Sequence, residues 1–273
     1  MDSGVESLNK VKQQLTVYRQ AVLKEAFEGK LTAEWRETHQ SPNIDEFWKD
    51  ICSEREKSHF RKKFKMIENI TLPALPHTWK WVNIGDISTG PEYGTSQKSS
   101  KSGDIPVIRM GNLQNGRIEW DNLVYTSNQE EIAKYNLKKN DVLFNRTNSA
   151  ELVGKTAIYR GEQKAIFAGY LIRINQLNCI DPDYLTYYMN SFVAKRYGNR
   201  VKTDGVNQSN ISGQKLCSYP FPLCTPMEQE QVVSELKSRL SVCDNIAQTV
   251  DTALQQAEAM RQSILKRAFE GGL

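Results

Sequence analysis

Tyr18-Arg-Gln-Ala-Val-Leu-Lys-Glu-Ala-Phe-Glu-Gly-Lys-Leu31 returns at residues 260–273 as Met260-Arg-Gln-Ser-Ile-Leu-Lys-Arg-Ala-Phe-Glu-Gly-Gly-Leu273. The offset is a constant 242 residues and needs no gap; across residues 8–31 eleven positions are identical, Gln13-Gln14 matching Gln255-Gln256 among them. Two amphipathic helices can converge in composition, but periodicity alone does not demand the same Phe-Glu-Gly ending twice. An internal repeat decides architecture before any single element does. Here it predicts one body of chain held between two copies of a helical arm.

The second copy closes a long predicted helix. Thr225-Pro226 supplies an N-cap and a first-turn proline, Glu228 and Glu230 suit the positive end of the helix dipole, and Gly271 follows Lys266 and Arg267 as a stop. Val233, Leu236, Leu240, Cys243, Ala247, Val250, Leu254, Ala257, Arg261, Ile264 and Ala268 recur three and four apart, broken only by the arginine. That is the heptad of a coiled-coil seam. Some 44 residues at about 1.5 Å each make an arm roughly 65 Å long. In the first copy Val5, Leu8, Leu15, Val22 and Ala26 keep the same spacing, and Gly29 should end the helix. The expected pairing is an antiparallel coiled coil. The longer helix then keeps a stretch of seam for another subunit or a second copy, and an arm that serves only dimerisation fits the same pattern.

The chain has 273 residues, 39% of them hydrophobic, a low fraction that suits much exposed helix. Its net charge of +4 is uneven: +1 over residues 1–70, +5 over 71–225 and −2 over 226–273. A basic middle segment is compatible with a phosphate-bearing partner, although a surplus this size is common. Cys52, Cys179, Cys217, Cys224 and Cys243 are odd in number and scattered, and His39, His59 and His77 have no ligand spacing to them. Free thiols, a reducing compartment and no metal site are expected. With neither a signal peptide nor a long apolar run, a cytoplasmic protein without a membrane partner is expected.

The repeat divides the chain into a helix over 1–31, a connector over 32–74, a globular domain over 75–225 and the long helix over 226–273. Asn43-Ile-Asp-Glu-Phe-Trp48 predicts one short helix in the connector. The basic run Arg61-Lys-Lys-Phe-Lys65 reads as a solvated face or a backbone contact. In the domain, Trp81–Ile84, Ile105–Arg109, Asp141–Asn145, Thr156–Tyr159 and Gly169–Ile174 read as strands, and 129–134 and 183–197 as helices. The predicted class is α+β, with one mixed, strand-rich domain flanked by the two helices.

Four loops gather groups suited to DNA. The first holds Tyr93, Thr95, Ser96, Lys98, Ser99 and Lys101 among glycines, fit for phosphate; a plain polar surface loop has the same composition. The second is Arg109-Met-Gly-Asn112, where arginine could fork onto guanine and asparagine onto adenine, or Arg109 could pair with an acid. The third is Asn145-Arg146-Thr147-Asn148-Ser149, five polar side chains after an apolar strand. The fourth carries Lys202, Asn207, Gln208 and Asn210. Polar clusters held on a scaffold are where binding groups concentrate.

Several segments carry a resemblance. Leu75-Pro-x-x-Trp79 with Ile84-Gly-Asp86, Tyr93-Gly-Thr-Ser96, Ile105-Pro-x-x-Arg109-x-Gly-Asn112, Asp141-Val-Leu-Phe-x-Arg146 and Gly154-Lys-x-Ala157 follow one another in order. Asn207-Gln-x-Asn-Ile-Ser212, Pro220-x-Pro222 and Pro226-x-Glu-Gln229 complete the series, and Ala26-Phe-Glu-Gly-Lys-Leu-Thr32 closes the first helix. Together they resemble the specificity (S) subunit of type I restriction–modification systems. The resemblance implies a target recognition domain that reads one half of a bipartite DNA site. It also implies a non-catalytic chain that docks methyltransferase (M) subunits on its helices, those partners carrying S-adenosylmethionine and modifying adenine. Restriction (R) subunits and a homodimer through the arms are compatible with it. Typical members hold two recognition domains, so a half-length form is expected, and the first helix lacks the Pro-x-Glu-Gln start found at Pro226.

Motifs for chemistry are scarce. There is no Gly-x-Gly-x-x-Gly loop, no Asn-Pro-Pro-aromatic motif and no histidine-based triad. Asp141 with Glu162-Gln-Lys164 is the one nuclease-like set, since an Asp and a Glu-x-Lys can hold magnesium.

Overall fold

The computed structural model describes residues 2–39, 43–57, 60, 62–67 and 70–270. The Gly271 stop, the last residues of the second repeat copy, Arg61 and His59, and the side chain of Ala268 lie outside the described residues.

Helix α1 spans Asp2–Phe27. It ends as the sequence predicts. Gly29 has φ +73°, Gly29 N–H donates to Ala26 O and Lys30 N–H to Glu25 O, a left-handed C-terminal turn that glycine adopts without strain. The connector carries two helices where one short one was predicted: α2 (Ala33–Thr38) and α3 (Ile44–Lys57). Ile44 and Ile51 of α3 are buried in the core while its charges stay outside, so packing extends the helix beyond its apolar start.

Among the described residues fourteen strands follow, with four further α-helices between them and a fifth after the last. β1 is Lys80–Asn83, β2 Ser88–Tyr93, β3 Ile105–Ile108, β4 Leu113–Gln114, β5 Arg117–Ile118 and β6 Val124–Thr126. After α4 (Gln129–Tyr135) come β7 (Val142–Asn145), β8 (Thr147–Asn148), β9 (Thr156–Ile158), β10 (Ile166–Phe167) and β11 (Leu171–Gln176). Then α5 (Pro182–Met189) and α6 (Phe192–Val201) replace the single helix predicted over 183–197. Asn190 ends the first, and Ser191 caps the second by accepting from Ala194 N–H. The chain closes the domain with β12 (Thr203–Asp204), β13 (Ser209–Asn210), α7 (Gly213–Cys217) and β14 (Pro220–Leu223), and leaves it in α8 (Pro226–Phe269).

The main sheet has the order β2-β11-β7-β9-β5-β4, with the β5–β9 pair parallel and the rest antiparallel. Both faces are buried, which is why β7 reads as a continuous apolar run rather than an alternation. Val142 and Phe144 face the larger core, beside Tyr184, Tyr188 and Phe221; Leu143 faces a second cluster with Phe167 and Leu171. The small β10-β3-β6 sheet adds to that second side.

The arms meet the domain at a buried polar joint. Glu228, fully buried in the first turn of α8, accepts from Arg36 Nη1 at 2.6 Å and from Thr32 Oγ1 at 2.8 Å, and Arg36 also donates to Gly29 O. Gln229 donates to Cys224 O and accepts from Asp181 N–H. These bonds give Pro226-x-Glu-Gln229 its physical role. The predicted Thr225 cap is corrected in one respect: its carbonyl accepts from Glu228 and Gln229 N–H, but its hydroxyl is buried without a partner among the described residues. Further along, Lys12 pairs with Asp251 at 2.7 Å and Arg19 with Asp244, so residue numbers fall on α8 as they rise on α1. Lys12 and Arg19 fill the gaps between the apolar positions of α1. Burial on α8 reaches Val250; beyond Ala257 its described side chains are exposed.

Candidate nucleic-acid interface

β7 runs into the third loop, and the sheet register decides what each of its residues can do. Asn210 pairs with Thr147 and Ser209 with Asn148, so the β12–β13 hairpin is stitched onto β8. Asn210 is the knot: its Nδ2 donates to Thr147 Oγ1 at 2.7 Å, and its Oδ1 accepts from Arg146 Nη2 at 3.3 Å. Arg146 also donates to Gly169 O, and its guanidinium lies 4.9 Å from the centre of the Tyr93 ring. The Tyr93 hydroxyl accepts from Gly213 N–H at 2.7 Å. One connected surface therefore joins the end of β2, the third loop and the fourth loop, although they lie over 50 residues apart in sequence.

The polar residues of this surface divide sharply. Asn148, Asn207 and Gln208 reach solvent, and among the described residues only the Asn148 side chain of the three is held, accepting from Ser149 N–H. Lys202 donates to Ala150 O and lies 3.5 Å from Asp204, whose pKa is lowered by the Ser209 hydroxyl it accepts from, and by Lys202. Thr147 is buried under Asn210. Asn145 is wholly buried on the second-cluster side of β7, and both atoms of its amide lack a partner among the described residues.

The first loop is pinned at its root and open beyond. Thr95 is buried, bridged to Ala168, and its hydroxyl accepts from Gln97 N–H. Gln97 accepts from Asn128 Nδ2, and Ser100 exchanges two backbone bonds with Tyr125. Ser96, Lys98 and Lys101 are exposed, Ser99 partly so, and neither lysine has an ion pair or hydrogen bond among the described residues.

The second loop stands apart. Asn112 is buried and spends its whole amide on the loop: Oδ1 accepts from Arg109 N–H, and Nδ2 donates to Glu119 O and Asp121 O. Arg109 donates to Asn122 O rather than to an acid. β4, which follows this loop, is the edge of the main sheet opposite β2. Five strand spacings of about 4.8 Å put those edges roughly 24 Å apart.

Two exposed side chains at the joined surface escaped the sequence reading. Tyr170, whose carbonyl accepts from Arg146 N–H, is half exposed, and Val206 at the hairpin tip is fully so. Neither stands in a motif. The nuclease-like set is committed elsewhere: Asp141 accepts from Arg173 at 2.8 Å and from Lys138 N–H, and Glu162 accepts from Arg160 N–H. Among the described residues no group of three His, Cys, Asp or Glu could hold a metal ion, all five cysteines are free, and no helix is long and apolar enough to cross a membrane.

Comparison with known proteins gives a consistent match. Residues 76–256 match the family described as type I restriction modification DNA specificity domain. The chain is 30% identical over 218 residues to the type I restriction enzyme MjaX specificity subunit inferred in Methanocaldococcus jannaschii, covering 78% of this chain and 49% of that one. It is 27% identical to the EcoKI specificity subunit of Escherichia coli K12 over 100% of its own length and 53% of the relative's. The chain thus spans about half the length of these curated relatives. Two solved structures share the fold. One, from a study of complex assembly and conformational transition of the type I R-M system, has a TM-score of 0.56 at 16% identity, over 98% of this chain and 60% of that one. The other, a type I S subunit from M. genitalium, has 0.51 at 14%, over 97% and 57%.

Proposed function

The chain belongs to the type I restriction modification DNA specificity domain family, and we propose that it is the sequence-reading, non-catalytic part of a DNA methyltransferase complex. It reads one half of a bipartite site. The observation that carries this is the joining of Tyr93, Arg146, Asn148, Asn207, Gln208 and Asn210 in one surface through Asn210. Exposed amides beside a guanidinium are the groups that discriminate base edges in the major groove. Lys98 and Lys101, exposed and without ion pairs, contact phosphates with Ser96 and Ser99 beside them. Lys202 works from the other flank. Asn112, Thr95 and Thr147 hold the loops in place through their side-chain hydrogen bonds, and Arg109, on the separate second loop, meets different base pairs from Asn148.

The arms dock the partners. α1 and α8 form an antiparallel coiled coil, supported by the Lys12–Asp251 and Arg19–Asp244 pairs. The end of α8 presents Ile264, Leu265 and Phe269 at 40%, 48% and 89% exposure, whereas their repeat counterparts Val22, Leu23 and Phe27 are buried at 3%, 6% and 1%. An uncovered copy of a segment that is buried elsewhere is a contact surface. It seats methyltransferase subunits that bring S-adenosylmethionine and modify adenine at N6, or a second copy in a homodimer.

Selection from random duplex DNA with the methyltransferase co-purified tests the reading. Enrichment of a defined half-site is expected. Changing Lys98 or Lys101 should weaken binding to every sequence, and changing Arg146, Asn148 or Gln208 should relax one base position by about 1–3 kcal/mol. Absence of any enriched sequence, with and without the partner, overturns it.

A further inference from the structure

A cavity of about 610 Å³ lies beside the joined surface, between residues 150–155 and α6. Its lining includes Lys155, Lys195 and Lys202, with Glu151 as the only acid. The lysines are poorly neutralised. Lys155 donates to the amide oxygen of Gln114 at 2.8 Å, Lys202 to a carbonyl with Asp204 at 3.5 Å, and Lys195 has no ion pair among the described residues. Tyr219 forms part of the wall. Its ring is buried, and its hydroxyl, itself closed off from solvent, has no hydrogen-bond partner among the described residues. A buried hydroxyl without a partner is costly, and folds satisfy nearly all such groups. Gly198 of α6 is what admits it, since a Cβ there would lie 2.5 Å from the hydroxyl oxygen.

We propose that this cleft seats a backbone phosphate of the bound DNA, held by Lys155, Lys195 and Lys202 with the Tyr219 hydroxyl as a further donor. The inference rests on the DNA-reading function above and gives it a second anchor. Its place in the fold fits that role. Residues 150–155 continue from β8, which carries Asn148, and Lys202 opens the hairpin that carries Asn207 and Gln208. A phosphate held there fixes the register of the strand those amides read, because phosphate contacts position and base contacts specify. Partial desolvation of Lys195, whose side chain still reaches solvent, and then the charge of Lys155, lower its pKa, and burial pushes that of Tyr219 up, so the phenol stays a donor. An anion between the lysines would relieve the first strain and satisfy the second group.

Binding of full-length protein to selected and scrambled duplexes, measured by fluorescence anisotropy across a salt series, tests the site, with unfolding midpoints recorded for each variant. Lys155→Gln and Lys195→Gln should each weaken both duplexes by the same factor and lower the slope of log K against log salt by about 0.9. Lys195→Gln and Tyr219→Phe should keep or raise the unfolding midpoint while lowering affinity; a purely structural role would lower the midpoint and leave the salt slope alone. If the parent protein selects its site but the two glutamine variants keep its salt slope and affinity, the phosphate seat is wrong and the reading function stands. A changed base preference in those variants overturns it equally. If the parent selects no sequence, both fall.

Discussion

Asn112 and Asn148 look alike in the sequence, each an asparagine in a polar loop after an apolar strand. Their surroundings separate them. Asn112 is buried with three hydrogen bonds, one to Arg109 N–H and two to carbonyls beyond the β4–β5 hairpin, so Asn112→Ala should cost about 1–3 kcal/mol in urea unfolding. Asn148 is partly exposed and accepts a single bond, from Ser149 N–H; Asn148→Ala should leave unfolding within about 0.5 kcal/mol and relax one base position in a selection assay. If Asn112→Ala changes base preference without loss of stability, the division is wrong. The residue types suited to base edges were legible in the sequence, because amides and arginine advertise their donors. Which of them are spent inside the protein was not, because that depends on carbonyls such as Glu119 O and Asp121 O brought back by a turn. Lys155 was visible only as part of Gly154-Lys-x-Ala157 and Lys195 stands in an ordinary stretch; the fold alone makes them neighbours.

At the level of elements, the two repeat copies form a built-in control. Phe27 meets Tyr184 and Tyr188 edge-on, each with ring centres 5.2 Å apart, in the main core. Phe27→Ala should cost about 3–5 kcal/mol. Phe269→Ala removes the same side chain from a solvated helix end, so its unfolding free energy should stay within about 0.5 kcal/mol. Its effect should appear in assembly instead: weaker self-association or methyltransferase capture by sedimentation velocity. Equal stability losses in the two variants would show that α8 is covered within the single chain. The α8 heptad and the Gly29 stop were plain from spacing, since both are local. The break at Asn190–Ser191 was not, because apolar residues run on through both helices and only the Ser191 cap marks the turn.

At the level of the whole molecule, one buried pair links arm, connector and domain. Arg36 bonds Glu228 and Gly29 O together, so the end of α1, the start of α2 and the first turn of α8 share one charge pair. Removing one member leaves a buried charge uncompensated. Glu228→Ala should therefore lose about 3–5 kcal/mol, and calorimetry should show a lower midpoint for the whole unit rather than for one arm. The Lys12–Asp251 pair is half exposed and should matter far less, by about 0.2–1 kcal/mol. A double-mutant cycle on each pair checks the contrast, and similar coupling in both would sink it.

By itself the sequence determined the repeat, the long helix, the α+β class and the polar loops, and through their motifs the family. Each is written in spacing or composition that a short window preserves. The tertiary structure decided which loops meet, which asparagines are free, and which repeat copy is covered. Val22, Leu23 and Phe27 are nearly the same residues as Ile264, Leu265 and Phe269; one set is buried and the other exposed. The reason is that burial belongs to a pair of surfaces, and only the first copy has Tyr184 and Tyr188 folded against it.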